Sequence, residues 1–198
     1  MKFRIPGTDR HFYPDIVCFI NGIPVVVIAC KSPRTKDPIP EAIDQMMRYA
    51  VQRDYSREGS KLLFTYNQFI VGSCRTRDKF GTLTTSIEKH FYRWTDPYPA
   101  TLEELANYCK PQQSYFTDKE NSDDEELIPE QRTTPNDQQR LIHGMLKPEN
   151  LLGIIRSFTV WSTNDDGKMI KVVGRYQQFQ HFKVITIYVK VFGIVKIY

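Results

Sequence analysis

The sequence predicts an α/β fold, a mixed central sheet flanked by helices. Three observations lead there. Tyr13 to Lys31 holds two apolar runs joined at Asn21-Gly22, a strong short-range hairpin signal because these two residue types tolerate positive φ. Val25 to Ile28 is an unbroken β-branched run, as in a strand covered on both faces. A helical pattern follows from about Glu41 to Arg53, with Ile43, Met46, Met47 and Ala50 on one apolar face.

The remaining elements are read in chain order. Lys2 to Gly7 is the end of an incoming strand and a turn. Ser32 to Pro40 is a proline-stiffened basic turn leading into the helix. Leu62 to Tyr66 and Phe69 to Val71 are two further strands, or one strand broken at Asn67-Gln68. A basic loop carrying Arg75, Arg77 and Lys79 comes next, then a short aromatic helix from Ile87 to Trp94. Leu102 to Cys109, Asp137 to Met145 and Pro148 to Arg156 are helices. Phe158 to Trp161 and Lys168 to Gly174 form a hairpin across Asn164-Asp165-Asp166-Gly167.

These elements divide the chain into a core (1–110), an acidic polar linker (111–135), a helical and hairpin bridge (136–179) and an atypical tail (180–198). The linker contains seven acids against one lysine between Asp118 and Glu130, a composition that resists packing. The tail is β-branched and strand-like, and too short and charged to span a membrane. Net charge is +4. The excess lies in the first 110 residues, with 16 Lys and Arg against 12 Asp and Glu, which suits a nucleic-acid partner. The four cysteines lack metal-type spacing, and Cys18 and Cys30 read as buried thiols. Nothing resembles a signal peptide or spanning helix, so a cytoplasmic protein is expected.

Asp15 opens the first strand of the hairpin and Lys31 ends the second. A charge at each end of a buried hairpin is the layout of a site at a sheet edge; solvated strand ends are the plainer reading. Strand alternation puts Ala29 and Lys31 on one face and Cys30 on the other. A regular two-residue turn would pair Asp15 with Ile28 and turn it away from Lys31. Asp15 therefore joins Lys31 only if a bulge or a three-residue loop falls at Asn21 to Pro24. Pro24 lacks an N–H and suits such an irregularity.

Pro14-Asp15, a hydrophobic strand and Cys30-Lys31 resemble the PD-(D/E)XK nuclease core. The wording from Asp15 to Pro33 resembles the restriction (R) subunit of type I restriction-modification enzymes. So do Pro148-Glu149-Asn150-Leu151-Leu152 and Arg175-Tyr176-Gln177-Gln178, at the bridge to that family's ATP-driven motor. The three anchors stand in the right order over roughly Phe3 to Gln178. The resemblance implies Mg2+-dependent cleavage of double-stranded DNA, with modification and specificity subunits as partners. It implies that Asp15 and the Cys30 carbonyl ligate metal and that Lys31 steadies the nucleophile or phosphate. Gln45 and Tyr49, four apart on the helix, match the family's Gln-x-x-x-Tyr element that supports the site. Arg34, Lys36, Arg75, Arg77 and Lys79 are candidate DNA contacts.

The family places an acid two residues before the lysine, where this chain has Ala29. One lost carboxylate is expected to weaken metal binding and cleavage. Full family members have a longer region before Met1, which implies a truncated or internally initiated product, and the tail reads as out of frame. ATP belongs to the full-length family enzyme: this chain has no G-x-x-x-x-G-K-[ST], since Gly167-Lys168 precedes Met169 in a turn. Two rival readings are a non-catalytic DNA-binding or subunit-docking module and a disrupted-gene remnant.

Overall fold

A computed structural model describes residues 4–7, 11–50, 59–74, 77–85, 90–109 and 134–182. Its centre is a four-stranded sheet of β3 (Ile16–Ile20), β4 (Ile23–Lys31), β5 (Phe69–Cys74) and β6 (Arg77–Gly81), adjacent in that order. β3 runs antiparallel to β4, β4 parallel to β5, and β5 antiparallel to β6, so the sheet is mixed. Helix α1 (Pro38–Tyr49) lies in the crossover between the two parallel strands. β1 (Ile5–Pro6) and β2 (His11–Phe12) make a separate antiparallel pair.

The β3–β4 hairpin holds the irregularity on which the site depends. Asn21 and Gly22 have φ of 49° and 80°, and Ile20 faces Ile23 across a two-residue turn. Phe19 faces Pro24, but Cys18 faces Val26, so Val25 is an extra residue. The bulge lies just past the expected window. Val25 and Val26 both pack on the face away from α1, while Val27 and Ala29 return to the α1 face. Beyond the bulge Ile16 faces Ile28, which sets Asp15 opposite Ala29.

One hydrophobic cluster fills each side of the sheet. On the first, Val27, Ala29 and Ile70 meet Ala42, Ile43, Met46 and Met47 of α1. Gly72 lies beside Ala29 in the parallel ladder; a Cβ there would come within 3.1 Å of the Ala42 Cβ. Small residues at 29 and 72 let the helix lie close to the strands. On the second side, Val26, Ile28, Phe69, Val71 and Phe80 meet Leu141, Met145, Leu151 and Ile154. Leu141 and Met145 come from the π-helical turn Leu141–Met145, which continues α4 (Asp137–Arg140), and Leu151 and Ile154 from α5 (Pro148–Ser157). The expected hairpin is β7 (Thr159–Thr163) and β8 (Met169–Val173), with Gly167 at φ 74° in its turn. The expected helix near Leu102 is α3 (Leu102–Tyr108), opened by a Thr101–Glu104 capping box.

Four expectations are corrected. Leu62 to Tyr66 is not a strand: Lys61–Phe64 forms α2, burying Leu63 and Phe64 while Leu62 and Tyr66 are exposed. The Thr65 hydroxyl donates to the Lys61 carbonyl and helps close that turn. A four-residue apolar run fits helix or strand equally by periodicity. The basic stretch at Arg77 is strand β6, not loop, because β5 offers it an unpaired edge. Phe91 to Trp94 is extended rather than helical; Tyr92 exchanges two backbone hydrogen bonds with Phe80, each 2.9 Å. Cys30 is exposed and Cys18 half-buried, because Cys30 points away from α1 near the open end of β4. Linker residues 111–133, Arg75, residues 87–89 of the expected aromatic helix and most of the tail (183–198) lie outside the described residues. Among the described residues no helix is long and apolar enough to cross a membrane.

Candidate active site

The end of the sheet where β4 and β5 finish gathers the charged residues. Lys31 faces Cys74, and Cys74 faces Arg77, so β4, β5 and β6 bring their ends into one row. Asp15, Ala29 and Lys31 share the α1 face by register. The Asp15 Oδ2 accepts a 2.8 Å hydrogen bond from the Cys30 backbone N–H, which ties the carboxylate to the strand that carries the lysine. Ala29 is completely buried beneath α1.

Lys31 Nζ lies 2.7 Å from Oε1 of Glu41, in the first turn of α1. The lysine side chain is 18% exposed and the glutamate side chain 51%, so the pair sits at the rim of the site. Gln45 and Tyr49 lie one and two turns further along. They bond to each other, Gln45 Nε2 donating to the Tyr49 hydroxyl at 2.8 Å. The Tyr49 ring packs 4.4 Å from the Phe12 ring. Among the described residues the buried Gln45 Oε1 has no hydrogen-bond partner. Neither residue bonds to Asp15 or Lys31; the residue of this helix that reaches the lysine is Glu41. The four-residue spacing that singled out Gln45 and Tyr49 extends back to Glu41, so the signal for it was present in the sequence.

A cleft of about 350 Å3 opens at the same end, between the start of α1 and β6. Lys36, Asp37, Arg77, Asp78, Lys79 and Arg93 line it. The structure thus brings Lys36, Arg77 and Lys79 together and adds Arg93; Arg34 does not line the cleft. Arg93 is fixed from the far side of the sheet. Its Nε and one terminal nitrogen donate to the two carboxylate oxygens of Asp137, each at 2.8 Å. Gln138, next to Asp137, donates to the Ser73 hydroxyl at 2.9 Å.

Beneath the cleft, Asp78 is 1% exposed, and among the described residues neither of its carboxylate oxygens has a hydrogen-bond partner. Burial first, then the Asp137 carboxylate, pushes its pKa up to about 7, against the opposing pull of Arg93. Partial burial, then Asp15 and Asp78, hold the Cys30 thiol above its ordinary value, which argues against a thiolate nucleophile there.

Among the described residues no group of three or more His, Cys, Asp or Glu is placed to hold a metal ion. The donor set at the end of β4 is nevertheless hard oxygen: the Asp15 carboxylate, the neighbouring Cys30 carbonyl and the Glu41 carboxylate. A hard cation such as Mg2+ is content with one or two carboxylates plus water and phosphate oxygens, so these residues fit it.

The molecule is therefore an α/β domain with a charged site at one end of a mixed sheet, compatible with a nuclease-like fold. Residues 1–89 match the family model described as type I restriction enzyme R protein N terminus. The type I restriction enzyme HindI endonuclease subunit of Haemophilus influenzae is 30% identical over 166 residues, covering 84% of this chain and 13% of that protein. A provisionally named type I restriction enzyme MjaVIIIP endonuclease subunit of Methanocaldococcus jannaschii is 28% identical over 180 residues, 90% of this chain and 13% of its own length. These matches support a likeness to the N-terminal region of type I restriction R proteins. The chain spans about an eighth of the length of these relatives.

Proposed function

We propose that this chain is the DNA-cleaving portion of a type I restriction R subunit, hydrolysing phosphodiester bonds with Mg2+. The observation that carries this reading is the bulge at Val25. It gives Asp15 the parity of Lys31, and so gathers an acid and a base at the sheet end that also holds the cationic cleft. In this reading the metal, when bound, helps form the attacking hydroxide and neutralises phosphate charge. Asp15 and the Cys30 carbonyl hold it. Lys31 orients the nucleophile or the phosphate. Lys36, Arg77, Lys79 and Arg93 grip the sugar-phosphate backbone without reading bases. Gln45 and Tyr49 support α1 under the site. The modification and specificity subunits are the proposed protein partners, and ATP use belongs to the longer enzyme.

Ala29 favours a second reading, a DNA-binding or subunit-docking module without cleavage, because a buried methyl group offers nothing to a cation. Plasmid nicking by the full chain, in Mg2+ and in chelator, separates the two. Nicking that needs Mg2+ and disappears in Asp15→Asn and Lys31→Ala supports the nuclease. Folded chain that retains plasmid in a salt-sensitive complex but never nicks it overturns the nuclease in favour of the module.

A further inference from the structure

We propose that Glu41, on helix α1, supplies the second carboxylate of the metal centre, in place of a side chain at position 29. The inference rests on the nuclease reading above and extends it to a residue that reading does not use.

The strand position is closed by packing as well as by chemistry. Ala29 is 0% exposed and lies beside Gly72, over which Ala42 and the Ile39 carbonyl pass closely enough to crowd a Cβ. A longer side chain at 29 would have to displace α1. The helix that closes this position carries its own acid to the rim of the same site. Glu41 Oε1 meets Lys31 Nζ at 2.7 Å, and Lys31 is the residue on the site face two beyond Ala29. Asp15 reaches that face from the other strand, held through Oδ2 by the Cys30 N–H. Two carboxylates from different elements thus approach one lysine-bearing strand end.

Stability alone does not account for this pair. A lysine–glutamate contact with a half-exposed carboxylate contributes little to folding. As a ligand, Glu41 keeps its solvent-side oxygen for a cation and its other oxygen for the lysine. Pro38 and Pro40 stiffen the start of α1, and Asp44 and Arg48 pair one turn on. The carboxylate is therefore presented from a rigid helical turn rather than from a loop.

The test uses Mn2+ alone as a paramagnetic stand-in for Mg2+, with the full chain and no DNA. Free Mn2+ is counted by electron paramagnetic resonance, and thermal unfolding is followed with and without Mn2+. Glu41→Gln and Asp15→Asn should each weaken Mn2+ binding by tenfold or more. Each should also remove the rise in Tm that Mn2+ gives the unsubstituted chain. The metal-free Tm of Glu41→Gln should stay unchanged. Glu41→Asp, which keeps the carboxylate, should recover part of the affinity.

If Asp15→Asn loses Mn2+ while Glu41→Gln and Glu41→Asp keep it, Glu41 is only a counter-ion to Lys31; the inference fails and the nuclease reading stands. If the unsubstituted folded chain binds no Mn2+, both fail together. A fall in the metal-free Tm of Glu41→Gln, with Mn2+ affinity retained, marks a structural role and also overturns the proposal.

Discussion

The Cys30 amide and the Asp15 carboxylate, fifteen residues apart in sequence, are joined by a 2.8 Å hydrogen bond. The bond crosses the hairpin at the point where β3 has not yet begun, so Asp15 is anchored by its side chain rather than by the ladder. Asp15→Ala should cost about 1 kcal/mol of stability, typical of one charge-assisted bond at an exposed position. Asp15→Asn, which keeps a side-chain carbonyl for Cys30, should cost less. Urea unfolding of the two variants checks this; equal losses would mean that the charge, not the acceptor, holds the turn.

Asp78 predicts a pH dependence of the fold. Its folded pKa, about 7, lies above its ordinary value of 3.8. Between those values the folded chain holds a proton that the unfolded chain has released. Stability therefore falls as pH rises through that window and levels off above it. Asp78→Asn should flatten the slope and raise stability at pH 8 by a few kcal/mol, since each pKa unit is worth roughly 1.4 kcal/mol. Urea midpoints at pH 5 and pH 8 measure it. An unchanged slope in the variant would place the titrating group elsewhere.

Arg93 joins the cleft to α4. Asp137 has a side chain only 7% exposed, and Arg93→Ala would strip both of its guanidinium donors. The expected loss is roughly 2 kcal/mol, below that of a fully buried pair because the guanidinium is more than half exposed. Arg93→Lys should recover only part of it, since an ammonium cannot reproduce the two-pronged contact. Full recovery in thermal unfolding would show that charge alone matters.

Gly144 sits in the π-helical turn, against the Asp96 carbonyl and the Trp94 indole nitrogen; a Cβ would collide with both. Helix propensity favours alanine over glycine by about 1 kcal/mol. The collision should outweigh that and leave Gly144→Ala less stable by roughly 2 kcal/mol. A higher Tm in the variant would refute the close approach.

If the cleft grips phosphates, Arg77→Ala and Lys79→Ala should weaken binding to all DNA sequences alike. Each should also reduce the slope of log affinity against log salt by about 1. Fluorescence anisotropy over a salt series reads this directly. A change confined to one sequence would mean base contact instead.

Much of this architecture was legible in local chemistry. Asn21-Gly22 specified the turn, and the parity of Asp15 against Lys31, with Pro24 nearby, required an irregularity that the structure places at Val25. Helix α1 starts earlier than its apolar stripe suggested because Pro38 fits the first helical position. What was not legible depends on distant partners. β6 is a strand because β5 offers it an edge, and Phe91 to Trp94 is extended because Tyr92 pairs with Phe80. The Arg93–Asp137 pair spans 44 residues and carries no spacing signal. Glu41 was one helical turn from Gln45 and two from Tyr49, but its partner Lys31 became visible only with the helix laid over the strand.

The single extra residue at Val25 makes the site a matter of counting rather than of identity. Any apolar residue there preserves the phase between the two strands, whereas removing it, or adding one more beside it, rotates every later position by half a period. Point changes in this hairpin are thus graded in effect. A one-codon insertion or deletion is all-or-none: it sends Asp15 to the opposite side of the sheet from Lys31 while leaving both residues in the chain.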